Sequence, residues 1–292
     1  MPDCPIIDAH FHIWDPRRNA MSWQTPGSPM TRPFDIAAYG RAMAGIDLAG
    51  AVFVECFVDR GGYLAEVAMA EAAAETDPRV QAIVAQAALD DGADAGPLLE
   101  RLATRHPMVR GIRRMIEEQP DPDFARRPAF VEGVQLLRDH ALSFDVNIHH
   151  GQMAQAADLA EAVDGVPLIL DHCGKPGIRA RVTEPWRTHL ARFAANPDTY
   201  CKLSGLPVEA EHANWTHDDL RPYLDAVVEA FGFDRLIFAT DWPVCTQATT
   251  PQGWIALLDR HFSGVAPADL RKVFAGNARR VYRLPGAAAG AS

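Results

Sequence analysis

No CxxC pair occurs in the chain, and its five cysteines (Cys4, Cys56, Cys173, Cys201, Cys245) are odd in number and scattered. That spacing excludes a zinc finger or a disulfide framework and fits reduced, buried thiols, with a thiolate ligand near a strand end as the alternative. Clusters of basic residues are also absent. With 28 Lys and Arg against 38 Asp and Glu, the net charge is −10, so the basic footprint that nucleic acid or an anionic membrane surface requires is missing. No apolar run approaches the roughly 20 residues of a membrane span. Met1-Pro2-Asp3-Cys4 lacks the basic head of a secretory signal, and the expected location is cytoplasmic. A glycine-rich phosphate turn after the first apolar run is missing too, which disfavours a doubly wound nucleotide-binding sheet. The partner these absences leave is a small molecule, with room for a homo-oligomer.

What is present is a regular alternation. Of the 292 residues, 48% are apolar, enough for a substantial core. Strand-like runs fall at 5–10, 50–56, 80–87, 109–115, 143–149, 166–172, 199–204 and 235–241, separated by stretches of helical spacing. The Ala-rich stretch 64–76 reads as a helix. So do Phe130, Val134, Leu137, Ala141 and, closing on Gly232, Leu220, Leu224, Val227, Val228, Phe231. Eight strands, each followed by a helix, predict an α/β chain folded as a single (β/α)8 TIM barrel over 1–292, with no repeat or linker to divide it. The Pro-containing stretch 16–33 reads as a long loop at the barrel mouth. Trp14 and Trp23 in or beside it either wall a pocket or pack on the rim. The Ala/Gly-rich tail 286–292 is expected to fray.

Active sites of such barrels are assembled at the C-terminal strand ends, and here those ends are polar. Strand one finishes in the pair His10 and His12, two residues apart, so both imidazoles can reach one ion or one oxygen. Strand two gives Glu55, strand four Arg113 and Arg114, strand five His149 and His150, strand six Asp171, His172 and Lys175, strand seven Lys202 and Ser204, and strand eight Asp241. Three histidines with two carboxylates point to one divalent metal. A bound water can then attack an ester or amide carbon. Asp241 is the candidate general base, its alternative a helix N-cap before Trp242-Pro243. His172 is a candidate ligand, with Asp171 supporting it from the opposite face. Glu55 ends a buried apolar strand and needs a partner, either the metal or Arg113. Arg113 suits a substrate carboxylate or lactone oxygen, or a buried ion pair. Lys202 is placed to meet an anionic group. Of the adjacent His149 and His150 only one can face the barrel, and His150 is preferred.

Six segments, IIDAHFHIW, GIRRM, LILDHCGKP, YCKLSGLPVEA, LIFATDWPVC and GNARRVYRL, together resemble the amidohydrolase-2 branch of the amidohydrolase superfamily, in that family's order and across 6–284. Within it they resemble sugar lactone hydrolases of the fuconolactonase and rhamnonolactonase type. The resemblance implies a hydrolase that opens a sugar-acid (aldono-) lactone, serving carbohydrate catabolism. It implies His12, His172 and Asp241 as catalytic residues, and His10, His12, Glu55, His172 and Asp241 as the metal set, with zinc first and manganese or magnesium next. Arg113, His150, Lys202 and Trp14 are the expected substrate contacts. Strand four offers no lysine for a carbamate bridge, so one metal is expected rather than two. A metal-dependent decarboxylase of an aromatic acid and a lactonase of the pyrone-dicarboxylate type are the alternatives.

Overall fold

In a computed structural model, described over residues 2–285, eight strands pair in parallel and in sequence order: β1 (Ile6–Phe11), β2 (Leu48–Val54), β3 (Val80–Gln86), β4 (Val109–Arg113), β5 (Ser143–Val146), β6 (Leu168–Leu170), β7 (Thr199–Leu203) and β8 (Leu236–Phe238). Helices follow the strands and cover the outer face, so each strand is buried on both sides and reads as an apolar run. This is the predicted (β/α)8 barrel. Its interior is filled by Ile7, Ala9, Val52, Val54, Ala82, Val84, Ile169 and Ile237, joined by Tyr282 and Leu284 from the C-terminal segment.

The helix expected at 64–76 is Tyr63–Thr76, and the one closing on Gly232 is His217–Phe231. Thr216 and Asp219 cap the start of the latter reciprocally, and Gly232 ends it with φ +59°, a conformation that favours glycine. No helix among the described residues is long and apolar enough to cross a membrane. The tail at 286–292 lies outside the described residues.

Two departures from regular strand geometry build the site. The barrel closes between β1 and the turn after β8 through Asp241 N–H to His10 O (2.8 Å), His12 N–H to Trp242 O (2.7 Å) and a parallel bridge between Phe11 and Trp242. The histidine pair and Asp241 are therefore placed by the same backbone bonds. Within β1, a register shift falls between Asp8 and Phe11. Asp8 accepts from Tyr39 Oη at 2.9 Å and Phe11 stacks on the same Tyr39 ring at 4.1 Å, so both point outward although three residues apart. A bulge of this kind re-aims side chains. It lets His10 turn into the barrel while Asp8 faces the helix layer.

The second departure is the early end of β5, β6 and β8, two or three residues before the sequence pattern suggests. After β6 the chain enters a tight turn in which His172, Cys173 and Lys175 take φ values of +52°, +55° and +43°. Asp241 has φ +60°. Non-glycine residues in this region are uncommon and strained, and such residues concentrate at functional sites.

Candidate active site

His12, His172 and Asp241 meet at the floor of an open cleft at the strand ends. Asp241 is 4% exposed, and its carboxylate faces three imidazoles: Oδ1 is 3.4 Å from His12 Nε2 and 3.7 Å from His10 Nε2, and Oδ2 is 3.9 Å from His172 Nδ1. Burial pushes its carboxyl up, but His172, His12 and Lys175 together outweigh that and hold it below the usual carboxylate range. A carboxylate kept ionised beside open space can accept a proton from water.

The histidines are held in defined orientations. His12 Nδ1 donates to the Val54 carbonyl at 2.8 Å, so its Nε2 turns a lone pair towards the cluster. His172 Nδ1 shares a hydrogen bond with Ser204 Oγ at 2.9 Å, and burial lowers this imidazole to about 4, against the pull of Asp241 and Asp171. His10 is fully buried. Burial, then Lys202, drives it well below its ordinary value, and Asp171 opposes them from 3.3 Å. The His10 and His172 rings are thus suited to be neutral ligands or acceptors at ordinary pH.

The donor set fits a metal ion. His10 Nε2, His12 Nε2 and Asp241 Oδ1 are separated by 3.1, 3.4 and 3.7 Å. Zinc bonds of 2.0–2.2 Å in a tetrahedron put neighbouring ligand atoms about 3.3–3.6 Å apart. His10 and His172 also form a second close group, with Asp171.

Of the expected site residues, Glu55, Lys202 and His150 do not line the cleft, and Arg113 lines it with its charge already engaged. Glu55 is fully buried and both its oxygens are occupied, Oε1 by Arg113 Nε and Oε2 by the Phe57 N–H, each at 2.6 Å. It therefore holds Arg113 and is not in the imidazole cluster. Arg113 borders the cleft, yet its guanidinium is spent on Glu55, on the Glu55 carbonyl (2.6 Å) and on Asp171 (3.2 Å), which is the ion-pair alternative. Lys202 has no exposed surface. It lies beneath the cleft, with its ammonium 2.5 Å from Asp145, 2.9 Å from Asp171 and 3.1 Å from His10 Nδ1, so its anionic partners are the protein's own. His150 is exposed and does not line the cleft, because β5 ends at Val146 and the chain turns away before reaching it. His149 is spent on that turn, its Nδ1 accepting from the Gly151 N–H at 3.1 Å.

Trp14 does line the cleft, fixed by its indole N–H to the carbonyls of Met30 (3.1 Å) and Arg32 (3.0 Å). Trp23 stands edge-on to it at 5.8 Å and donates to Cys56 O at 2.9 Å, which ties the 16–33 loop to the end of β2. Asp8 has a part that spacing alone did not reveal. It accepts from Thr240 N (2.8 Å), Thr240 Oγ1 (2.6 Å) and Tyr39 Oη, and so anchors the residue before Asp241. Asn147, Glu117 and Lys175 complete the opposite wall of the cleft, Lys175 paired with Glu117. Asn147 was signalled by parity, since Ser143, Asp145 and Asn147 share one face of a strand and Asp145 points inward.

Known proteins resemble this chain along most of its length. A family model described as Amidohydrolase matches residues 7–284. The chain is similar to an L-fucono-1,5-lactonase of Burkholderia multivorans, 31% identical over 96% of each chain. It is also similar to an L-rhamnono-gamma-lactonase of Scheffersomyces stipitis, 26% identical over 64% of this chain and 62% of the relative. An amidohydrolase of Burkholderia multivorans, solved with bound zinc, superposes with a TM-score of 0.84 at 30% identity over 97% of this chain and 100% of the other. Matched along nearly its whole length by that model, and bearing its polar groups at the strand ends of a parallel barrel, the chain belongs to the amidohydrolase family and is a hydrolase.

Proposed function

We propose that this protein opens a sugar-acid lactone to the aldonic acid by attack of water on the lactone carbonyl. The observation that carries the reading is the ionised, buried Asp241 carboxylate at the cleft floor, in a chain that shares 31% identity over 96% of its length with an L-fucono-1,5-lactonase. Asp241 takes the proton of the attacking water. Once the tetrahedral carbon collapses and the ring C–O bond breaks, the same carboxyl returns the proton to the departing ring oxygen. His12 and His172, held by Val54 O and Ser204 Oγ, orient the water and the carbonyl oxygen. Trp14 and Trp23 offer flat apolar surface to the ring.

His10, His12 and Asp241 would hold one divalent ion, zinc first, with His172 beside them, and the zinc bound in the 30%-identical Burkholderia multivorans amidohydrolase supports that choice. Such an ion supplies Lewis-acid polarisation and a lower pKa for bound water.

Acid release from a panel of five- and six-membered aldonolactones tests the activity, and metal analysis of the purified protein tests the ion. Turnover of at least one lactone with about one metal per chain is expected. No turnover on any lactone overturns the reading, and carbon dioxide release from hydroxybenzoates would replace it with the decarboxylase.

A further inference from the structure

Of the buried side-chain oxygens and nitrogens that lack a hydrogen-bond partner among the described residues, Asn147 Oδ1 belongs to the residue that lines the cleft. Asn147 is 2% exposed. A buried carbonyl oxygen without a donor is costly, and one in a native site demands an explanation. Its surroundings are rigid. The Asn147 backbone carbonyl accepts from the Glu117 N–H at 3.2 Å, and Gln152 Nε2 donates to Ile116 O at 3.2 Å, so the exits of β4 and β5 are pinned together. The backbone that carries the orphaned acceptor is therefore fixed at this wall.

Next to it on the same wall stands the Lys175–Glu117 ion pair, each side chain 21% exposed. Asn147, Lys175 and Glu117 thus bring a carboxamide, an ammonium and a carboxylate to one wall, a mixture of donors and acceptors. Adjacent hydroxyls on a ring present alternating donors and acceptors, so this wall matches a vicinal diol and has little to offer an unsubstituted ring. The imidazoles and Asp241 occupy the floor, and Trp14 and Trp23 the apolar side.

We propose that Asn147 is a specificity-determining residue of this site: its Oδ1 accepts a hydrogen bond from a ring hydroxyl of the substrate, with Lys175 and Glu117 addressing the neighbouring hydroxyl. This rests on the reading of the cleft as a sugar-lactone site. It also accounts for an uncompensated buried acceptor that Asp241 chemistry does not use. A site built to hydrogen-bond a substrate hydroxyl discriminates against an analogue lacking it more strongly than an apolar pocket discriminates by size.

The test compares wild type with Asn147→Leu, which keeps the branching and number of heavy atoms of the side chain and removes its polar atoms while leaving the backbone bond to Glu117 intact. Calorimetric titration with a polyhydroxylated aldonic acid and with 5-hydroxypentanoate, its plain counterpart, reads binding. Steady-state kinetics on the aldonolactone that wild type hydrolyses best reads function. The expected result is a loss of about 10- to 100-fold in affinity for the polyhydroxylated acid, unchanged affinity for 5-hydroxypentanoate, and a matching rise in KM with kcat within about twofold. Equal losses for both acids, or no loss for either, would overturn the proposal, as would failure of wild type to bind any polyhydroxylated acid. If wild type hydrolyses no lactone, the lactonase reading falls while the binding contrast still decides the role of Asn147.

Discussion

Asp241 Oδ1 stands 3.4 Å from His12 Nε2, although the two residues lie near opposite ends of the chain. The contact exists because the barrel closes there: the backbone of residues 241 and 242 bonds to that of His10 and His12, so closure of the sheet and assembly of the site are one event. Asp8, accepting from both the N–H and the hydroxyl of Thr240, locks that seam from the outside.

Asp241→Asn removes the proton acceptor at nearly constant volume. Turnover on the best lactone is expected to fall by about 10²- to 10⁴-fold, the usual contribution of a positioned general base. Thermal melting should remain within a few degrees of wild type. Activity within threefold of wild type would remove Asp241 from the role of base.

Glu55→Gln acts on stability. Glu55 and Arg113 are both buried, and their Oε1 to Nε contact is 2.6 Å. Breaking a buried pair from one side strands the remaining charge, at a cost of about 3 kcal/mol. Urea unfolding should show a lower midpoint with an unchanged slope. A midpoint equal to that of wild type would mean that Asp171 alone compensates the guanidinium.

Glu66 sets a pH dependence. Burial, then the nearby Glu55, raises its carboxyl from 4.5 to about 8, and its Oε2 has no partner. Between those two values the unfolded chain releases a proton that the folded chain keeps, so stability falls as pH rises through this window. Glu66→Gln, which mimics the protonated carboxyl, abolishes that loss. From pH 5 to pH 8 wild type should lose about 3 kcal/mol relative to the variant. Parallel stability curves for the two proteins over that range would show that Glu66 is ionised in the fold.

Trp23→Ala tests the loop wall. Trp23 is 36% exposed and donates to Cys56 O, so its removal should cost little stability. It should raise KM by about fivefold to tenfold, the equivalent of roughly 1 kcal/mol of lost contact, with kcat preserved. An unchanged KM would assign Trp23 to rim packing.

The sequence by itself determined the architecture and the core of the site. Strands buried on both faces must be continuously apolar, and that alternation with amphipathic segments was sufficient for eight strands in order. His10, His12, His172 and Asp241 were legible because each directly follows an apolar run, and a polar group there has to be placed at a mouth or paired. Pairing was decided only in three dimensions. Glu55, Arg113 and Lys202 carry the charges that substrate binding would use, but Glu55 and Arg113 satisfy each other, while Asp145 and Asp171 take up Lys202. Sequence spacing contains nothing about which strands end at the same height. The exits of β1 and β5 were decided by tertiary structure too. A register shift reversed the facing of Asp8 relative to His10, and an early end to β5 substituted Asn147 for the histidines at 149 and 150. Apolar periodicity specifies which face is buried. The length of each strand and the partners of its last residue depend on hydrogen bonds to strands that are neighbours in space and distant along the chain.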